Sequence, residues 1–157
     1  MARRSEPFAV FLFGMRLNHA RGLPRFLWGL RVLRRVVADL ERHPARGFLA
    51  GRVYRAGRSL IAVQYWESFD ALDAYARDHG MPHRPAWQRY LREALDDPAV
   101  GLWHETYLAG AGDWEGVYVN MPPWGLGAGV ELAAMRADRG SARQRLRQQR
   151  KHPADGG

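Results

Sequence analysis

Phe48-Leu-Ala-Gly-Arg-Val-Tyr-Arg-Ala-Gly-Arg-Ser-Leu-Ile-Ala-Val-Gln-Tyr-Trp-Glu67 decides the fold. Two strand-forming runs, 48–55 and 59–67, are separated only by Ala56-Gly57-Arg58. So short a connection makes a hairpin, hence an antiparallel pair. Upstream, residues 25–42 put Phe26, Leu27, Leu30, Leu33, Val37 and Leu40 on one helical stripe, stopped by Pro44 and Gly47. Before that helix, 8–17 is dense in Phe, Val and Leu and reads as the first strand, followed by a loop over 18–24. Downstream, Ser68 caps a helix reaching about residue 79, with Phe69, Leu72, Tyr75 and Ala76 inward and Gly80 at its end. A second helical piece starts near Pro85. Residues 100–109 form the fourth strand, and 115–121 read as a short fifth before the Pro- and Gly-rich stretch 122–129.

The order β-α-β-β-α-β predicts an α+β, ferredoxin-like antiparallel sheet with its helices on one face. The other face is apolar too. In the first strand Phe8, Val10 and Leu12 oppose Ala9, Phe11, Phe13 and Met15; in the third, Ile61, Val63 and Tyr65 oppose Leu60, Ala62 and Trp66. In the fourth, Val100, Leu102 and Leu108 oppose Trp103 and Tyr107. A sheet with one wet face would alternate apolar with polar. The expected cover is a second copy presenting the same face, giving a homodimeric α/β barrel, with the segment after the fourth strand crossing into the partner.

The 157-residue chain is sized for one domain, drawn here as a core over 8–128 and a basic tail over 129–157. It has no cysteine, which excludes disulfides, thiolate metal sites and thiol nucleophiles and fits a reducing cytoplasm. No secretory signal is read at residues 1–7, and Arg31, Arg34 and Arg35 interrupt the longest apolar periodic stretch, against a membrane span. The net charge of +8 is concentrated at the end: from Met135 onward seven basic residues face two acidic ones, so five of the eight net charges lie beyond residue 134. The tail lacks aromatic residues on which bases could stack, so it reads as a solvated, partly helical or disordered extension rather than a nucleic-acid arm.

Few polar groups interrupt the strands. His104 lies in the row of Val100, Leu102, Thr106 and Leu108, where an imidazole suits a general base, a donor to substrate, a metal or haem ligand, or a satisfied core histidine. Glu105 points to the opposite face beside Trp103 and Tyr107, where an arginine partner is expected. Trp66 and Tyr65 give the third strand an aromatic end, and His83 sits in a loop that could close a pocket mouth. Arg16, Asn18 and Asn120 stand at strand ends, which suit groups that orient a ligand. Gly125-Leu-Gly-Ala-Gly129 follows Pro122-Pro-Trp124 and does not make a dinucleotide loop; no phosphate loop, metal-ligand cluster or nucleophile elbow is present in the sequence.

Five segments carry a resemblance: Phe8-Ala-Val-Phe-Leu-Phe-Gly-Met-Arg-Leu-Asn18; Val63-Gln-Tyr-Trp-Glu-Ser-Phe69 with Leu72 and Tyr75-Ala76; His83 with Ala86-Trp87; Leu102-Trp-His-Glu-Thr-Tyr107; and Tyr118-Val-Asn-Met-Pro122. Over about residues 8–128 the chain resembles a family once catalogued as a domain of unknown function. That family is now grouped with a fungal monooxygenase of the fumagillin pathway, among the antibiotic-biosynthesis monooxygenase-like, dimeric α/β-barrel proteins. The resemblance implies a cytoplasmic homodimer of secondary metabolism, with a pocket between sheet and helices. It also implies oxygenation of an electron-rich aromatic or polyketide-like substrate, in some relatives without metal or flavin. On that reading His104, Trp66 and His83 are the catalytic candidates, and Tyr65, Arg16, Asn18, Trp103, Tyr107 and Asn120 contact substrate. Two alternatives stand beside it: a haem protein with His104 or His83 as axial ligand, and a non-catalytic module for a small apolar ligand or, through its tail, a polyanion.

Overall fold

The computed structural model describes residues 1–78, 84–132 and 141–151. Its elements are β1 (Ala2–Arg3), β2 (Phe8–Leu17), α1 (Leu23–Arg42), β3 (Phe48–Ala56), β4 (Ser59–Trp66), α2 (Phe69–Arg77), α3 (Arg84–Asp96), β5 (Val100–Ala109), β6 (Glu131–Leu132) and α4 (Ala142–Lys151). The apolar run of β2 takes a central place. The four long strands lie in the order β3-β4-β2-β5, each neighbouring pair antiparallel. This is the expected split β-α-β plan, with α2 and α3 together in the place of the second helix. The β3–β4 hairpin turns at Gly57, whose φ of 57° is the left-handed conformation that glycine adopts without penalty.

Register sets the two faces, because side chains opposite one another share a side of the sheet. Phe13 stands between Ala62 and His104, and Phe11 between Gln64 and Thr106; these rows turn toward the helices. Phe13, Met15, Leu60 and Ala62 pack with Phe26, Leu33 and Tyr90. Trp66 packs with Val37, Leu40, Phe48 and Leu72. Burying each of the large apolar side chains contributes about 1.5–3 kcal/mol. The stripe of α1 is rotated from the sequence reading: Leu27 is exposed, whereas Gly29 and Val32 are buried. Gly29 has no side chain where the Met15 tip and the Tyr90 hydroxyl approach. Tyr90 stacks on Trp28 with ring centres 5.2 Å apart and donates to the Met15 sulfur at 3.7 Å. The Ser68 cap forms as expected, its Oγ accepting from the Ala71 N–H at 3.1 Å.

The second face is partly covered from within the chain. Residues 115–121 do not form a strand. Asn120 turns the chain with φ of 53°, and Pro122 and Pro123 have no N–H to add to a ladder. The segment after β5 folds back onto its own sheet rather than reaching away from it. Trp124 lies over the Arg52 guanidinium, 3.7 Å from ring centre to carbon, and beside Tyr54. Gly125 rests against the Tyr65 ring, and the Gly127 N–H donates to the Tyr118 hydroxyl at 2.9 Å. The short pair β1–β6 closes the return. Toward β5 this cover ends: Trp103 and Tyr107 remain exposed, next to half-buried Val10 and Leu12. Within the tail, α4 is helical and tied down. Arg145 grips Glu115 through two bonds of 2.7 and 3.3 Å, and Arg150 meets Asp113 at 2.7 Å. Among the described residues no helix is long and apolar enough to cross a membrane.

Candidate active site: a cavity between the sheet and α1–α2

A cavity of about 500 Å³ lies between the helix-facing side of the sheet and the helices. That volume suits a small organic ligand. Phe11 and Phe13 of β2 form its floor, Val32, Leu33 and Val36 of α1 one wall, and Phe69, Leu72, Tyr75 and Ala76 of α2 another. All four α2 residues expected to point inward line it, Leu72 buried and Tyr75 half-buried, with Phe69 and Ala76 exposed at its mouth. The polar floor groups come from the flanking strands: Gln64 from β4, His104 and Thr106 from β5.

His104 reaches this floor because β5 pairs it opposite Phe13. Its ring lies 5.9 Å from that of Phe11, tilted by 42°. Since β5 is an edge strand, His104 and Thr106 stay exposed at the cavity's open side. Gln64 is the opposite case, only 4% exposed. Its Oε1 accepts from the Trp66 indole N–H at 3.1 Å. Tyr75 tilts against Trp66, ring centres 5.1 Å apart, and burial pushes its hydroxyl up to about 12, with the Asp39 carboxylate adding to the effect and Arg46 opposing it. The Tyr75 phenol is therefore neutral at ordinary pH. Asp73 and Asp78 stand at the rim, Asp73 paired with Arg77 at 2.9 Å.

The candidates read from the sequence are only partly gathered here. His104 lines the cavity. Trp66 does not: it is fully buried behind the floor, where it holds Gln64. Tyr65, Trp103 and Tyr107 belong to the opposite face, by the same alternation that turns His104 inward. Burial under the returning segment raises the Tyr65 hydroxyl above its ordinary range. Trp103 lies across Gly14, where a Cβ would strike its indole. Glu105 accepts a short hydrogen bond from the Tyr107 hydroxyl, not from an arginine. Arg16 is exposed on that second face, and Asn18 is spent on structure, donating to the Pro98 carbonyl at 2.9 Å. Asn120 is exposed in the returning loop. His83 lies outside the described residues. Gln64 was the residue to find: its signal is a lone amide in the apolar row Leu60, Ala62, Gln64, Trp66.

A haem, the cofactor of the alternative reading, would need an axial ligand and cations for its propionates. His104 supplies the first. Among the described lining residues, however, the charged carboxylates are Asp73 and Asp78, which repel propionates, and no Lys or Arg lines the cavity. The described residues do not fit haem. Nor do they group three His, Cys, Asp or Glu side chains in a way that could hold a metal ion.

Comparison with known proteins fits this architecture. The curated Monooxygenase af470 of Aspergillus fumigatus is 27% identical over 139 residues, covering 82% of this chain, which in turn spans 48% of that protein. A solved aldoxime dehydratase in complex with butyraldoxime superposes with a TM-score of 0.60 at 20% identity, over 69% of this chain and 33% of that one. SnoaB, a cofactor-independent oxygenase from Streptomyces nogalater, superposes at 0.41 and 19% identity, over 64% of this chain and 90% of that one. The match that bears on kinship runs over residues 8–126, from the first residue of β2 through the loop that closes the second face, and by it the chain belongs to the Monooxygenase af470-like family.

Proposed function

We propose that this chain carries the site of a small monooxygenase that oxidises an electron-rich, largely apolar organic molecule with dioxygen, without a bound cofactor. The observation that supports it is His104, an imidazole presented into a cavity walled mainly by Phe, Val, Leu and Tyr, with Gln64 and Thr106 on its floor and Asp73 and Asp78 at its rim. A neutral imidazole has one nitrogen free to accept a proton, and apolar walls favour a flat aromatic or polyketide-like substrate over water. His104 would remove a proton from a phenol or an activated methylene. The resulting anion passes one electron to dioxygen, and the two radicals combine into a peroxide. Loss of water from that peroxide turns the methylene into a carbonyl: one oxygen atom stays on carbon, the other leaves as water, and the substrate supplies every electron.

Family membership and the cavity favour this reading over a passive ligand-binding module. A second copy would complete the molecule by covering Trp103, Tyr107, Val10 and Leu12, so a homodimer is part of the proposal. The test is oxygen uptake with anthrone, a flat ketone with an activated methylene. The native protein should convert it to the quinone, and His104→Ala should lose about 100-fold or more in rate while its circular dichroism is retained. Undiminished uptake in His104→Ala would remove this residue from the reaction. A saturable Soret band on titration with haemin would instead favour the haem alternative.

A further inference from the structure

Gln64 is the one polar side chain among the described residues of the buried core. An indole N–H can only donate, so the atom it meets at 3.1 Å must be the amide oxygen. That bond fixes the sense of the amide: Oε1 is committed to Trp66, and the NH₂ is left toward the cavity that Gln64 lines. Among the described residues no acceptor meets that NH₂. The Gln64 nitrogen is not one of the fully buried polar atoms left without a partner, so it is open to the cavity, where a ligand's acceptor can meet it. Trp66 is itself locked, fully buried against Phe48 and Tyr75. The donor is thus held in place before any ligand arrives.

Gln64 and Thr106 occupy one row on either side of Phe11, two strand spacings or roughly 10 Å apart at the backbone, with His104 diagonal to that row. The floor therefore has two polar ends and an aromatic middle. Building on the proposed function, we infer that Gln64 is a substrate-orienting donor, selecting ligands that carry a carbonyl or enolate oxygen at one end and an ionisable hydroxyl or methylene at the His104 end. In that pose the amide would hold the oxygen on which negative charge collects once the proton is removed.

A binding cycle tests this without turnover. The probes are 6-hydroxy-1-tetralone and 5,6,7,8-tetrahydro-2-naphthol, the same skeleton with and without the ketone. In the native protein the ketone should tighten binding about 10-fold, the value of one well-placed neutral hydrogen bond. In Gln64→Met, which keeps length and removes both donors, the two probes should bind alike. The infrared carbonyl stretch of the bound ketone should be lowered in the native protein and return toward its free position in the variant. Trp66→Phe frees the amide to turn over and should cut the ketone preference to about 3-fold, a second measurement should Gln64→Met fail to fold. An equal ketone preference in native protein and both variants would overturn the inference and leave the cavity reading intact. Failure of both probes to bind the native protein would overturn both.

Discussion

The two faces of the sheet are equally apolar in sequence, and the molecule treats them unequally. The helix side is built from packed clusters around Trp66 and Tyr90, and it still keeps a cavity where α2 leans over β2 and β5. The other side is roofed by a loop held at separate anchors, Trp124 on Arg52 and Tyr54, Trp114 on Phe8, Gly125 on Tyr65 and Gly129 on the Leu49 backbone, and stopping short of β5. Amphipathic helices bring whole stripes of side chains and can span a void. A loop brings isolated anchors and leaves apolar surface at its margin. The difference is why the proposed site is placed on the first face and the proposed association on the second.

The comparison can be pressed by mutation. Leu40→Ala on the helix side should cost about 3 kcal/mol, since Leu40 is fully buried and its neighbours cannot collapse onto the gap. Urea denaturation measures it. Trp124→Ala on the other side should cost about 1–2 kcal/mol, chiefly the lost contact with Arg52, and leave ligand binding in the cavity unchanged. A Trp124 loss as large as that at Leu40 would break the distinction, because the roof would then be core. The smallest effect appears only in alkali. Burial pushes the Tyr90 hydroxyl up to about 12 in the folded chain, above its unfolded value of about 10. Between those values the unfolded chain gives up a proton that the folded chain keeps, so stability is full below the window and falls as pH rises through it. Tyr90→Phe should therefore flatten the drop in urea midpoint between about pH 9 and about pH 11. An unchanged slope would mean that Tyr90 ionises no less readily folded than unfolded.

The hairpin, the Ser68 cap and the bounds of β5 are legible in the sequence because each is set by neighbours a few residues apart. Alternation also sorts His104 from Trp103 and Tyr107 correctly. It does not say which set meets the helices, because both are apolar enough to be covered. The course of residues 110–129 is hidden for another reason. Val117, Val119 and Met121 mimic a strand, yet all three are exposed, and the anchors that decide the path, Arg52 with Trp124 and Tyr65 with Gly125, are far apart in sequence. The grip of α4 likewise depends on pairings such as Arg145 with Glu115 that no local pattern announces. Gln64 stands out as an amide among apolar neighbours, but its meaning comes from Trp66 two residues on, through a bond made on one side of the strand.

The turn at Gly57 has a practical consequence. Nothing approaches within 4 Å of where its side chain would be, while Arg58 beside it is tied to the Leu17 carbonyl at 2.9 Å. At the rise of an extended chain, about 3.3 Å per residue, that tip is about 20 Å from Gln64. Space is open there, but a φ of 57° strains any side chain put in place of Gly57, so the tip suits a peptide grafted as a longer turn that keeps the glycine rather than a label carried by residue 57 itself.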